Sequence, residues 1–338
     1  HGFGYSPYYT HVLDDTILRA EFMGSPIDNH FVTWGLERHT VDYKKDYTNP
    51  ASTDYKAKGT SQNSLFVQDK FKLGAGTLTA GLRFDDNDQF GSETSPELGY
   101  IMPLSENMDL KFQYSEAFNA PNIKEADDNY VYTHGYPGAT AMQGNSNLEA
   151  ETSQSFEVGL SGLLGTTSWS ASVYRTNADG LIEMQDTGTT YIPTGGSLYK
   201  YENVDEATIT GAELIVSADL TSNLYIDASY NRMETDNGDG GQLAFRPDQT
   251  FKAKLTYDMP WDMSANWSVN YTGESKDGVN DVAGYTINDF AINKRFTKAV
   301  NVQLAVNNVF DVLNDDTSDN YITELAGREY KLTLSGAF

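Results

Sequence analysis

Apolar and polar residues alternate with a period of two along most of this chain. The alternation stops at polar, turn-rich connections and then starts again. In "AVNVQLAVNN", Val300, Val302, Leu304 and Val306 share one face, while Asn301, Gln303, Ala305 and Asn307 share the other. In "REYKLTLSGAF", Tyr330, Leu332, Leu334, Gly336 and Phe338 oppose Lys331, Thr333, Ser335 and Ala337. "TFKAKLTYD" and "GTLTAGLRFD" read the same way. A period of two describes strands with unlike faces. No stretch approaches 18 consecutive apolar residues, so a chain like this could cross a bilayer only with strands.

The pattern predicts about fifteen strands. They fall near 14–24, 29–45, 61–73, 76–87, 92–103, 107–117, 151–164, 167–184, 199–219, 222–234, 248–259, 264–274, 284–297, 299–310 and 328–338. Short connections such as 24–28, 74–76, 105–107, 164–167, 220–222 and 297–299 alternate with long polar ones at 46–60, 118–150, 185–198, 235–247, 275–283 and 311–327. Short turns on one side and long loops on the other predict an all-β, antiparallel transmembrane β-barrel, with the long loops outside and the C-terminus in the periplasm. A barrel also satisfies every backbone group that an open sheet would leave facing lipid. Arg83, Lys252 and Lys254 fall on the lumen side, and Tyr114, Trp169, Tyr257, Trp261 and Trp267 suit interfacial girdles. The alternative is a soluble β-sandwich or solenoid; a sandwich uses strands of about 5–6 residues, shorter than those read here.

Composition narrows the function classes. The net charge of −25 disfavours nucleic acid. There is no cysteine, hence no disulfide framework or thiolate metal site. With 22 Tyr and 16 Phe the chain is too aromatic for a disordered acidic protein. It opens "HGFGYSPYYTHVLDD", without the basic and apolar regions of a signal peptide. The five histidines, His1, His11, His30, His39 and His134, have no ligand spacing, and no nucleotide-binding or nucleophile motif is present, so neither catalytic nor metal residues are assigned. "TDNGDGGQ" (235–242) lacks the closing acid of a calcium loop and is built of ordinary turn formers.

Five segments carry a resemblance. They are "YSEAFNAPNIKE" (114–125), "GNSNLEAETSQSFEVGL" (144–160), "ENVDEATITGAEL" (202–214), "AVNNVFD" (305–311) and "GREYKLTLSGAF" (327–338). In this order they resemble the TonB-dependent outer-membrane receptors, with Ala120, Pro121, Asn145, Leu148, Glu151, Asn308, Phe310, Gly327 and Phe338 on the family motifs. Within that family the chain is most similar to the ferric-catecholate siderophore receptors, the enterobactin and colicin I receptor group. The resemblance implies a barrel of about 22 strands with a plug inside it. Residues 1–338 would be the C-terminal part of that barrel domain, the plug being absent from this chain.

The resemblance further implies energy-dependent uptake of a ferric siderophore, a transported ligand rather than a cofactor, by a monomeric barrel in the bacterial outer membrane. Such uptake makes and breaks no bond, so the resemblance implies a chain that is not an enzyme. Partners would be the TonB complex, acting through the plug, together with outer-membrane lipid and lipopolysaccharide. Colicin or phage adsorption to the loops is compatible with it. Haem, cobalamin or another bulky nutrient is the alternative ligand, His134 being the haem candidate; a passive porin or adhesion barrel is a second alternative. A ferric tris-catecholate is aromatic and anionic, so tyrosines and cations in the loops would bind it. The candidates are Tyr130, Tyr132, His134, Tyr136, Tyr191, Tyr199, Tyr201, Arg246 and Arg328. In "GNSNLEAETSQSFEVGL", Phe156, Val158 and Leu160 are expected to face lipid, and Ser155, Glu157 and Gly159 the lumen.

Overall fold

The structure, a computed structural model, describes residues 9–47, 55–56, 59–133, 136–238, 240–276, 281–313 and 325–336. Among them there is no helix. The strands are β1 (Tyr9–Gly24), β2 (His30–Tyr47), β3 (Tyr55–Lys56), β4 (Thr60–Leu73), β5 (Gly76–Asn87), β6 (Gly91–Ser105) and β7 (Met108–Asn119). They continue with β8 (Val131–Thr133), β9 (Ala141–Gln143), β10 (Glu151–Leu164), β11 (Thr167–Tyr191), β12 (Gly196–Thr221), β13 (Leu224–Asp236) and β14 (Gln249–Met259). The last are β15 (Met263–Thr272), β16 (Ser275–Lys276), β17 (Asp281–Val282), β18 (Tyr285–Arg295), β19 (Val300–Asn307) and β20 (Glu329–Gly336).

The long strands are those the alternation predicts. The short ones, β3, β8, β9, β16 and β17, lie inside segments read as loops. One expected loop is largely strand. The connection 185–198 shrinks to a turn, because β11 runs to Tyr191 and β12 starts at Gly196. The turn closes on the Tyr191 carbonyl, which accepts from the amides of Thr194 (3.2 Å) and Gly195 (2.8 Å), with Gly195 at φ 79°. Its flanks, "DTGTTY" and "SLYKY", are Thr/Tyr-rich and suit extended backbone.

The chain divides into two compact units. The first comprises residues 1–100, 113–155 and 177–207. In it β1, β2, β4 and β5 pair antiparallel in sequence, Phe22 opposite Trp34, Trp34 opposite Val67 and Val67 opposite Leu82. That face is apolar and exposed. The opposite face is a polar network. Arg83 donates to both Asp85 oxygens (2.9 and 3.0 Å), to Glu37 (2.9 Å) and to Ser64 (2.7 Å). Arg19 reaches Glu37 at 3.4 Å and lies 4.7 Å from the centre of the Phe66 ring. Gly35 makes room for that ring, since a Cβ there would stand 2.5 Å from Phe66 Cζ.

The second unit comprises residues 101–112, 156–176 and 208–338. Its strands β12, β13, β14, β15, β18, β19 and β20 pair antiparallel in that order. The registers align one apolar row across all seven: Ala218, Ile226, Leu255, Trp267, Phe290, Val306 and Tyr330. The alternate row, Ser217, Asp227, Lys254, Ser268 and Asp289, is polar. A one-residue slip in any strand would exchange the two faces. Trp267 stands mid-strand in this row, not at a strand end as a girdle residue would, and its indole N–H donates to Asn288 (3.3 Å).

Exposure inverts the usual arrangement. The buried hydrophobic residues are Tyr43, Ile123, Ala139, Ala141, Leu148, Ala207 and Leu243, among the described residues. Leu332 and Leu334, by contrast, are 70% and 72% exposed, and Phe156, Val158 and Leu160 are exposed too. Glu157 turns to the other side and meets Lys111 at 3.2 Å. Contiguous apolar area on this scale is not stable in water; it matches the outward band of a membrane barrel.

Candidate ligand-binding site

The connection after β7 begins with a single turn, closed by the Ala126 amide on the Asn122 carbonyl (3.0 Å). Asn122 Oδ1 accepts the amides of Lys124 (3.0 Å) and Glu125 (3.1 Å), and the Glu125 carboxylate accepts the Asn122 amide (2.9 Å). This is a reciprocal capping box. It seats Ile123 against Tyr43, the most buried large side chain described. Tyr130 meets the Tyr43 ring edge-on at 5.9 Å, and Lys124 Nζ lies 4.8 Å from the Tyr43 ring and 5.8 Å from that of Tyr130. Tyr130 is therefore a packing residue of this cluster.

Further along, β8 and β9 pair antiparallel, and β9 pairs parallel with the start of β12. The register puts Tyr132, Met142 and Tyr199 in one row. They share a face, with Tyr132 and Tyr199 about 10 Å apart at the Cα atoms by strand spacing. Tyr201 is two residues further along β12 and points to the same side. Tyr136 is 60% exposed. The structure thus gathers Tyr132, Tyr199 and Tyr201, while Tyr191 anchors the β11–β12 turn through its carbonyl. Arg246 and Arg328 are exposed residues of the second unit. His134 and Phe338 lie outside the described residues.

The motif residues fasten this sheet. Asn145 donates to the Tyr201 carbonyl (2.8 Å), and its Oδ1 accepts the Asn147 amide (3.0 Å). Leu148 and Pro121 are buried. Glu151 accepts from Asn119 (2.6 Å) and from the Ile182 amide (2.7 Å), tying the end of β7 and the start of β10 to β11. Asp128 accepts both the hydroxyl and the amide of Ser146 and pairs with Lys200 at 3.3 Å. In the second unit Asn308, buried at φ 51°, donates to the carbonyls of Val312 (2.8 Å) and Ala326 (3.0 Å) and accepts the Val312 amide (2.9 Å). That ends β19 at Asn307, short of the predicted 310. Phe310 lies 6.2 Å from Trp267, and Gly327 abuts Asp311. Asp128 and Lys200 carry no sequence signal of their own; Asn203 lies inside the 202–214 segment, but only its hydrogen bonds in the structure reveal what it does.

Two carboxyls titrate in opposite senses. Burial pushes Glu125 up against the pull of the Asn122 hydrogen bonds, and the charge of Glu151 adds to the rise. Its stabilising effect is full below the ordinary Glu range and is lost as pH rises through the elevated folded value. Hydrogen bonds from Ser146 hold Asp128 low, with Lys200 adding to the effect. Its contribution persists above the ordinary Asp range and is lost as pH falls through the depressed value. Protease resistance of 120–150 should therefore rise as pH drops from neutral towards about 5. Glu125→Gln, which keeps an acceptor for the cap, should hold that higher resistance at neutral pH. Lower resistance in the variant at pH 7 would refute this assignment.

Among the described residues, no group of three or more His, Asp or Glu stands close enough together to hold a metal ion. In the 235–242 segment Asp236 accepts the amides of Gly238 and Gly240, so the turn satisfies its own acid.

Known proteins agree with this architecture. The chain is 27% identical over 344 residues to the ferrienterobactin receptor of Escherichia coli K12, covering 88% of this chain and 45% of that receptor. It is 28% identical over 276 residues to the ferric enterobactin receptor of Pseudomonas aeruginosa, covering 73% and 37%. A crystal structure of the ferric enterobactin receptor from P. aeruginosa superimposes with a TM-score of 0.80 at 21% identity, over 97% of this chain and 54% of that one. The chain thus spans less than half the length of these two curated relatives. The profile of the family described as "TonB dependent receptor-like, beta-barrel" matches residues 2–309, and the chain belongs to that family.

Proposed function

We infer that this chain is the C-terminal part of the barrel of an outer-membrane receptor that takes up a ferric siderophore of the catecholate class. The observation that carries the reading is the shared face of Tyr132, Met142 and Tyr199, on strands that the motif residue Asn145 ties together through the Tyr201 carbonyl. An aromatic, polarisable face of this kind suits stacking on catechol rings. The named relatives bind ferric enterobactin, which supports the ligand class. The exposed apolar rows would meet outer-membrane lipid, and the long connections would face outward next to lipopolysaccharide. Energy would come from the TonB complex acting on a plug. No bond of the ligand is made or broken by these residues, so the role is transport and not enzymatic catalysis.

The acidic surface opposes an anionic ligand, so local cations matter. Lys124 already lies over two tyrosine rings, and Lys200 is paired with Asp128. Arg246 and Arg328, in the second unit, are exposed cations too. Replacing Tyr132, Tyr136 and Tyr199 together by Ala should weaken ferric-catecholate binding to whole cells by about tenfold or more. The receptor should still reach the surface. Unchanged uptake of labelled ferric catecholate by this triple variant would remove these residues from the site.

A further inference from the structure

Asn203 lies in β12, two residues beyond Tyr201; it falls within the segment "ENVDEATITGAEL" but is not among the motif residues assigned above. Its side-chain amide makes three hydrogen bonds to two separate segments. Oδ1 accepts the amide of Glu149 (2.9 Å), and Nδ2 donates to the carbonyls of Glu149 (3.0 Å) and Gly180 (2.6 Å). One acceptor faces an N–H and one donor group faces two carbonyls, so the amide orientation is fixed by its partners. Glu149 ends the long connection after β7; Gly180, at φ 67°, lies in β11.

The connection after β7 also meets β12 and the β11–β12 turn along its length. Asn145 donates to the Tyr201 carbonyl, and Lys200 pairs with Asp128. Leu198, Tyr199 and Lys200 ladder with Ala141, Met142 and Gln143. At the far end Thr194 Oγ1 donates to the Ala139 carbonyl (2.5 Å), and the Gly138 amide donates to the Thr194 carbonyl (2.6 Å). Gly196 permits that approach, since a Cβ there would lie 2.5 Å from the Ala139 carbonyl carbon. Contacts run from one end of the interface to the other, and Asn203 closes the end next to the strands.

We propose that Asn203 is a positioning residue: it joins the segment 120–150 to the hairpin of β11 and β12, so that tyrosines from both are presented to the ligand as one rigid body. This rests on the proposed uptake function for its ligand, but not for its mechanics. Two segments that moved independently would have to order themselves at each capture, which lowers affinity. Joined beforehand, they present Tyr132 and Tyr199 at a fixed spacing.

The test uses the receptor in its native membrane. Asn203→Ala should speed deuterium exchange in 120–150 and in 178–203 together. It should raise the apparent KM for uptake of a ferric tris-catecholate about tenfold while leaving the maximal rate unchanged. The chain has no cysteine of its own, so A141C/L198C adds one defined cross-link. These two are direct ladder partners, at a spacing a disulfide can bridge. Oxidising it on the Asn203→Ala background should restore both exchange protection and KM. Exchange that quickens in only one segment, or in neither, overturns the proposal. Should Asn203→Ala fail to reach the membrane, A141C/L198C alone decides: uptake equal in the oxidised and reduced forms supports one body, and uptake lost on oxidation shows that the segments must separate. A wild type that takes up no ferric tris-catecholate defeats the uptake reading, and the exchange measurements then decide the coupling by themselves.

Discussion

Gly144→Ala is expected to unseat the segment 120–150 and to reduce ferric-siderophore uptake by at least about tenfold, while the strands still insert. A Cβ at residue 144 would come within 2.5 Å of the Lys124 carbonyl oxygen and closer still to that of Asp127. Both are backbone atoms of the capped turn, so no side chain can rotate away. Overpacking of this kind costs about 1–3 kcal/mol where the surroundings can relax. Here relaxation means opening the hydrogen bonds around it: Gly144 N–H to the Tyr130 carbonyl (3.0 Å) and Asn145 N–H to the Glu125 carbonyl (2.6 Å). The Tyr132–Met142–Tyr199 row would lose its register with them. Gly196→Ala should behave alike, through Ala139. Gly24→Ala is the control, since a Cβ at residue 24 meets nothing within 4 Å. Surface proteolysis of intact cells reads the loop and iron-limited growth reads uptake. A Gly144→Ala receptor with wild-type protection in 120–150 would show that the turn is not packed as described.

How much of this was legible beforehand depends on which physical signal carries each feature. The strands were, because every strand carries its own period-two pattern: Val302, Leu304 and Val306 need no partner to be read as one face. The row that joins Leu255 to Trp267 and Phe290 was not, since register is a relation between strands and each strand's pattern is satisfied by any even shift. Outer segments were read less well. "DTGTTY" and "SLYKY" lack apolar alternation, because a hairpin standing in water on both faces needs none; their extension shows only in hydrogen bonds. Among the candidate tyrosines, composition could not separate Tyr130, packed on Tyr43, from Tyr132, on the open face. The separation comes from the β8–β9–β12 pairing, which joins residues more than fifty positions apart. Asn145 and Glu151 were marked by the family motif, yet their work is to hold strands and segments together. Asn203, inside the 202–214 segment but not singled out there, has the same role.

The faces of the sheet make the last prediction. Leu255 is third in the seven-strand apolar row, beside Trp267, and is exposed. Its neighbour Lys254 lies in the polar row between Asp227 and Ser268. If the first face meets lipid, Leu255→Arg should destabilise the folded barrel by about 2–4 kcal/mol, the cost of a basic side chain near the bilayer midplane. In water the same change on an exposed position would cost within about 0.5 kcal/mol. Lys254→Gln alters charge one residue away but on the polar face, and it should move stability far less. The gap between the two variants therefore measures which face is wet. It can be read from reversible urea titrations of the receptor folded in phospholipid vesicles, followed by tryptophan fluorescence. A Leu255→Arg barrel as stable as the wild type would place water, not lipid, against that row, and the sheet would then have to be reassigned to a soluble arrangement. A large loss for Lys254→Gln with little for Leu255→Arg would mean that the two faces have been exchanged, which a one-residue register slip in β14 would produce.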